Sequence, residues 1–125
     1  MAGKKKNTIQ IGKKGEDIAA GYLSHQGVSV ISRNVRTPYG EIDIVGEDNG
    51  CLIFVEVKAR RNQSFGFPEE AVHARKREHM VNSAIFYLQE NYEEEIDWRI
   101  DVIAVNLAIK DESLQIRWFK NAIIS

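Results

Sequence analysis

The sequence predicts an α/β fold in which helices flank one mixed five-stranded sheet. Helical and strand-like hydrophobic patterns follow one another in the order helix, three strands, helix, two strands. The third strand segment, Cys51–Ala59, is apolar on both faces except for Glu56 and Lys58, which is typical of a central strand covered by helices. Residues 1–7 are polar and rich in lysine, and we therefore expect a disordered basic N-terminus there. Because the chain contains no internal repeat, we expect a single domain over residues 8–125.

The first helix is predicted to begin at Thr8, an N-cap residue, and to end at Gly27. Apolar side chains recur at helical spacing between these two positions. Gly15 and Gly21 each lower the helix propensity by about 1 kcal/mol relative to Ala. Packing against the rest of the protein must therefore hold this helix together.

Three strands are predicted next, over Val28–Arg36, Gly40–Gly46 and Cys51–Ala59. Asn49-Gly50 lies between the second and third of them, and this pair of residues favours the positive φ angles of a tight hairpin. The hairpin is expected to bring the second and third strands side by side.

A second helical region is predicted from Pro68 to about Asn91, because a proline followed by acidic residues is typical of a helix start. The last two strands are predicted over Trp98–Leu107 and Leu114–Phe119, with a turn at residues 110–112 between them.

Composition excludes several kinds of site. The single cysteine, Cys51, rules out an internal disulfide and a cysteine-based zinc site, and the three histidines are too scattered for a zinc cluster. No apolar run reaches the roughly 18 residues of a membrane span, and the lysine-rich N-terminus is not followed by the apolar stretch of a signal peptide. We therefore expect a cytoplasmic protein without membrane contacts.

The net charge of −1 conceals an uneven distribution. Residues 1–36 carry seven basic side chains against two acidic ones, and residues 58–77 form a second basic stretch. One interpretation is a basic face for nucleic acid, and the other is an ordinary mixed surface. On the first interpretation, the side chains that contact phosphates are Arg60, Arg61, Lys76 and Arg77.

Ionisable residues interrupt the two central strands. Glu56 and Lys58 share one face of their strand because side chains alternate, and the Asn49-Gly50 hairpin is expected to place Asp43 beside them. Two carboxylates and a lysine on a sheet that otherwise resembles a core form an oxygen-rich site suited to a hard cation such as Mg²⁺ or Mn²⁺. The alternative is a cross-strand ion pair between Asp43 and Lys58 on a solvated face.

A longer set of residues accompanies this motif in a fixed order: Gly12, Gly15-Glu16, Ala19, Tyr22-Leu23, Arg33-Asn34, Gly40-Glu41-Ile42-Asp43, Phe54-Val55-Glu56-Val57-Lys58, Arg60, Phe65-Gly66, Lys76 and Arg99-Ile100-Asp101. The Glu-x-Lys triplet alone has almost no specificity, whereas the ordered set does. This set resembles the PD-(D/E)XK nuclease superfamily, and most closely its YraN-like branch of small bacterial proteins similar to Holliday-junction resolvases.

The resemblance implies a restriction-endonuclease-like αβββαβ core with Asp43 and Glu56 as ligands of Mg²⁺ or Mn²⁺. It further implies that Lys58 is the catalytic lysine and that Glu16 adds an acid from the first helix. The expected activity is hydrolysis of phosphodiesters in DNA, including branched DNA, by a chain that forms a homodimer. The alternative is a non-catalytic nucleic-acid-binding or scaffold protein that retains the fold. This sequence departs from the superfamily name because Gly40-Glu41-Ile42 stands where a proline would precede the Asp.

Other candidate residues have two interpretations each. Glu41 shares a face with Asp43, and we favour a solvated role for it over metal ligation. Arg99 and Asp101 share a strand face, and we favour a structural ion pair over a link to the site. Three aromatic residues near the loops either stack on bases or pack in the core, namely Tyr39, Phe65 and Phe67.

Overall fold

A computed structural model describes residues 2–60, 74–107 and 114–123 of the chain. The elements in chain order are helix α1 (Ala2–His25), strands β1 (Ser29–Thr37), β2 (Gly40–Asp48) and β3 (Cys51–Arg60), helix α2 (Ala74–Asn91), and strands β4 (Trp98–Leu107) and β5 (Leu114–Ile123). The five strands form one sheet in the order β1-β2-β3-β4-β5. β3 and β4 pair in parallel and every other neighbouring pair is antiparallel. The α/β prediction with one mixed five-stranded sheet is confirmed.

The β2–β3 hairpin turns at Asn49-Gly50, as predicted. Asn49 has φ = 51° and Gly50 has φ = 83°, and two successive residues with positive φ are the requirement of a type I′ turn. The parallel β3–β4 pair needs a longer connection, and α2 belongs to it. Each helix covers one face of the sheet.

The core consists of two layers, one on each side of the sheet. The layer beneath α1 contains Ala19, Ala20, Leu23, Val28, Ile44, Ile53, Val55, Ile103 and Val105. The layer beneath α2 contains Ile42, Val45, Leu52, Phe54, Ala84, Tyr87, Ile100 and Val102. β3 contributes alternate residues to both layers, which confirms the prediction of a central strand covered on both faces.

Two element boundaries differ from the sequence prediction by more than two residues. α1 begins at Ala2 and therefore includes residues 2–7, which the sequence predicts as disordered; Ala and Lys are strong helix formers. β5 continues past Phe119 to Ile123, because its pairing with β4 resumes after an irregularity and ends with Ile123 opposite Ile100. The predicted helix start at Pro68 and the predicted turn at residues 110–112 lie outside the described residues. Neither helix in the described part of the chain is both long and apolar enough to cross a membrane.

Candidate functional site

The strands β2 and β3 diverge where the two carboxylates of the sequence motif lie. Their pairing runs from Asp48 opposite Cys51 to Ile44 opposite Val55, and Asp43 and Glu56 are the next residue on each strand. The backbone N–H of Val57 donates a 2.8 Å hydrogen bond to Asp43 Oδ2. The carboxylate thus occupies the position at which a backbone carbonyl of β2 would continue the ladder, and it is held in the fork between the strands.

Glu56 is buried on the α2 side of the sheet, with two lysines beside it. Its Oε1 atom lies 3.5 Å from Lys58 Nζ and 3.1 Å from Lys76 Nζ. Lys58 stands two residues further along β3 on the same face, whereas Lys76 reaches the carboxylate from the start of α2. A buried anion is costly unless it is paired, and here two partly exposed cations pair with it.

Glu16 reaches the same end of the sheet because α1 packs very closely against β3. A Cβ atom built on Gly15 would overlap the Cβ of Ala59, so only glycine permits this approach. Gly15 therefore lowers the helix propensity of α1 and also allows α1 to pack closely against β3. Glu16 is largely buried, and Arg33 of β1 holds it with an Nη2–Oε1 distance of 3.1 Å while also binding Asp17.

The charges around Asp43 differ from those around Glu56. Burial and the neighbouring charge of Glu56 raise the pKa of Asp43 to about 7, and Glu16 adds to this effect, whereas the hydrogen bond from Val57 N–H opposes it. Lys58 and Lys76 both lie against Glu56. Two carboxylates thus meet in the fork, and the ion pairs described here reach only one of them.

Among the residues that the structure describes, the fork offers a cation the two carboxylates of Asp43 and Glu56. Among the described residues, no group of three or more His, Cys, Asp or Glu side chains is arranged to hold a metal ion. Glu16 is already bound to Arg33. Mg²⁺ nevertheless suits such a set, because proteins usually hold it with one or two carboxylates while water and substrate phosphates complete its shell. The oxygen donors of Asp43 and Glu56 therefore fit Mg²⁺ or Mn²⁺.

The predicted phosphate-binding residues differ in their exposure and in their contacts. Arg60 is exposed at the end of β3, and Arg77 is exposed near the start of α2. Lys76 lies against Glu56 and not on a separate basic face. Arg61 lies outside the described residues, as do Phe65 and Phe67. Sequence analysis missed the contact of Lys76 with Glu56, because no pattern in the chain specifies how α2 sits on the sheet.

The solvent exposure of Glu41 and of Tyr39 decides between the two interpretations that the sequence left open for each of them. Glu41 is exposed at the start of β2, in agreement with the solvated role. Tyr39 is 47% exposed in the turn before β2, so the interpretation as a core residue is wrong for this aromatic side chain. Arg33, which appears in the ordered motif without an assigned role, is the partner of Glu16.

Arg99 and Asp101 form the predicted ion pair, with a distance of 3.0 Å between Arg99 Nε and Asp101 Oδ1. Asp101 is fully buried and also accepts hydrogen bonds from Trp118 Nε1 at 2.9 Å and from the backbone N–H of Asn121 at 2.7 Å. Arg99 additionally binds Asp48 at 2.8 Å. In the β3–β4 register these residues lie towards the start of both strands, before Glu56 and Lys58. Arg99 and Asp101 therefore form a structural ion pair.

Comparison with known proteins identifies the family. The uncharacterised protein family UPF0102 matches residues 15–105. A UPF0102 protein of Syntrophotalea carbinolica is 50% identical over 97 residues, which cover 78% of this chain and 79% of the relative. A UPF0102 protein of Dehalococcoides mccartyi is 42% identical over 117 residues, which cover 94% of this chain and 95% of the relative. The chain therefore belongs to UPF0102, the YraN-like family of PD-(D/E)XK nuclease-like proteins.

Proposed function

We propose that this protein is a metal-dependent nuclease that binds DNA and hydrolyses phosphodiesters, with branched DNA among its substrates. The observation that supports this most directly is the meeting of Asp43 and Glu56 in the fork of β2 and β3, with Lys58 beside Glu56. A fold of the nuclease-like family, with all three motif residues present, is consistent with the proposal.

Each residue of the fork has a distinct role in the proposal. Asp43 and Glu56 would hold Mg²⁺ or Mn²⁺, which would supply Lewis acidity to the phosphodiester and to a water molecule. The hydrogen bond from Val57 N–H keeps Asp43 oriented towards the site. The Lys58 ammonium donates to the phosphate as negative charge develops on it. Glu16, held by Arg33, orients a water molecule from the side of α1.

A second candidate function has an observation in its favour. Glu56 is already neutralised by Lys58 and Lys76, and the described residues contain no three-ligand group for a metal. A protein that binds nucleic acid without cutting it would need no metal in the fork. On this alternative, the lysines are phosphate contacts and the carboxylates are structural.

A cleavage assay separates the two candidates. Linear, flapped and four-way DNA are incubated with the parent protein in Mg²⁺ or Mn²⁺, beside Asp43→Asn and the matched control Glu47→Gln, which changes an exposed acid on the same strand. The nuclease proposal expects products from the parent and from Glu47→Gln but none from Asp43→Asn. DNA binding without products in any metal would favour the non-catalytic candidate. Light scattering with and without four-way DNA tests the homodimer that junction cleavage implies.

A further inference from the structure

A cavity of about 80 Å³ opens between β2, β3 and α2, directly beside the fork. Glu56 and Lys76 belong to its lining, so it is continuous with the proposed catalytic site. Apolar side chains form much of the remaining wall, among them Ile42, Phe54, Met80 and Ile100, and Glu41 and His79 also line it. A cavity of this size is too small to enclose a whole nucleobase, but it can receive the edge of one while the rest of the base lies at the mouth.

An aromatic ring stands at the mouth of this cavity. Tyr39 lines it and is 47% exposed, and it lies in the turn between β1 and β2. Thr37 Oγ1 accepts a 3.0 Å hydrogen bond from the backbone N–H of Tyr39 and donates a 2.8 Å bond to the carbonyl of Gly40. The turn is therefore fixed by hydrogen bonds, while the ring itself remains available to a ligand.

The cavity also presents a hydrogen-bond acceptor. Ser83 of α2 is 2% exposed and lines the cavity, and its Oγ lies 2.8 Å from Thr37 Oγ1. Thr37 has one hydroxyl proton, which it gives to the Gly40 carbonyl, so Ser83 is the donor in the bond between the two hydroxyls. Because Ser83 donates its only hydroxyl proton to Thr37, the lone pairs on Ser83 Oγ can accept a hydrogen bond from an N–H group of a ligand.

We propose that this cavity binds an unpaired base of DNA, whose phosphate lies at Asp43 and Glu56, and that the substrates therefore contain a single-stranded segment at the cleaved position. The proposal rests on the proposed function and specifies its substrate. The ring of Tyr39 stacks on the base, and Ser83 Oγ accepts from the base N–H. A base inside an intact duplex is stacked and paired, and it could enter the cavity only after being extruded from the helix.

Affinity measurements without turnover test this proposal. Fluorescence anisotropy, with Ca²⁺ in place of Mg²⁺, compares a single-stranded oligonucleotide, a duplex with a single-stranded flap, and a blunt duplex of equal length. The parent is expected to bind the first two about tenfold more tightly than the third, which is the contribution of one stacked base. Tyr39→Ala is expected to lose this advantage and Tyr39→Phe to retain it, because the ring is needed and the hydroxyl is not.

The control variant is Tyr92→Ala, which removes another exposed tyrosine outside the cavity and is expected to behave like the parent. Equal affinity of the parent for all three probes, or an unchanged preference in Tyr39→Ala, would overturn the proposal. The two proposals fail separately. A protein that discriminates among the probes but never cleaves contradicts the nuclease function alone, whereas one that cleaves blunt and flapped DNA equally well contradicts the base pocket alone.

Discussion

Two groups of carboxylates lie on this sheet, and their surroundings differ. The fork cluster consists of Asp43 and Glu56 with Lys58 and Lys76, and the Asp101 cluster consists of Asp101, Asp48, Arg99 and Trp118. Asp101 is fully buried, yet three donors satisfy it. The hydrogen bond from Arg99 holds the pKa of Asp48 below its ordinary value, whereas burial and the charge of Glu56 raise the pKa of Asp43.

The comparison separates a structural use of buried charge from a functional one. A protein that needs buried carboxylates only for its fold can pair each of them, as the Asp101 cluster does. In the fork cluster the carboxylates face each other while both lysines lie against Glu56. Such an arrangement lowers stability locally and is expected where a cation or a phosphate completes the site.

The largest expected difference between the clusters is in stability. Asp101→Asn removes the fully buried carboxylate that pairs with Arg99 and accepts from Trp118 and Asn121, and an amide cannot accept from all three donors. We expect this change to lower the free energy of unfolding by about 3 to 5 kcal/mol. Asp43→Asn, measured in chelator at pH 8 where Asp43 is charged, removes one of two repelling charges. It is expected to unfold at the same denaturant concentration as the parent or at a higher one. Urea titrations of the three proteins check this. A similar loss in both variants would remove the distinction between the clusters.

Catalysis is expected to depend on one cluster only. Lys58→Met removes a donor aimed at developing negative charge, and we expect turnover to fall by about 10²- to 10³-fold. Mn²⁺ binding, measured by calorimetry, is expected to persist because a charged lysine has no lone pair for a metal. Lys120→Met is the control, since Lys120 lies beside Asp48 in the other cluster. Loss of Mn²⁺ binding in a folded Lys58→Met variant would contradict the assignment.

The stability that Asp43 and Asp48 contribute to the native state is expected to change with pH in opposite directions. The native state of the metal-free protein holds a proton on Asp43 up to about pH 7, whereas the unfolded chain loses it near 3.8. Stability therefore falls as pH rises across this window, by an amount on the order of 2 to 4 kcal/mol at 1.36 kcal/mol per pKa unit. Asp48 has a lowered pKa, so its contribution is present above its ordinary pKa and is lost as pH falls.

Unfolding titrations in chelator from pH 4 to pH 8 measure this difference. Asp43→Asn is expected to flatten the decline between pH 4 and pH 7, and Asp48→Asn is expected to leave that decline intact. A parent protein whose stability does not fall over the window would contradict the uncompensated state of Asp43.

A metal ion is expected to reverse the instability of the fork cluster. Mn²⁺ at about ten times its dissociation constant should stabilise the parent by roughly 1.4 kcal/mol, because it binds only the native state. The melting temperature should rise by a few degrees in the parent and in Asp48→Asn, and by little in Asp43→Asn. Thermal melts with Mn²⁺ and with chelator check this, and a parent whose melting temperature ignores Mn²⁺ would support the non-catalytic alternative.

The sequence predicts local features of this protein better than the contacts between distant elements. The Asn49-Gly50 turn and the bounds of β4 follow from short-range preferences, and both are found. Asp43 and Glu56 meet because the hairpin sets their register, which is also a local effect. The resemblance to a nuclease family added Glu16, but not the reason for its position. That reason is the close contact of Gly15 with Ala59, which depends on how α1 docks.

Contacts that depend on the packing of distant elements were not predictable. Lys76 is separated from Glu56 by a long connection, and its position on α2 reveals nothing of its partner until the helix is placed on the sheet. The backbone N–H of Asn121 reaches Asp101 where the register of β4 and β5 is irregular, with Asn121 at φ = 52°. Hydrophobic periodicity contains no information about such an irregularity.

The smallest expected difference concerns phosphate contacts. Lys76 lies at the mouth of the proposed site and is partly exposed, so a DNA phosphate can replace Glu56 as its partner. Lys76→Gln is expected to reduce the slope of log affinity against log salt by about one, which is the release of one counterion per lost contact. Lys120→Gln, which removes an exposed lysine beside Asp48, is expected to leave the slope unchanged. Equal slopes for the parent and Lys76→Gln would mean that Lys76 serves Glu56 alone and that DNA binds elsewhere.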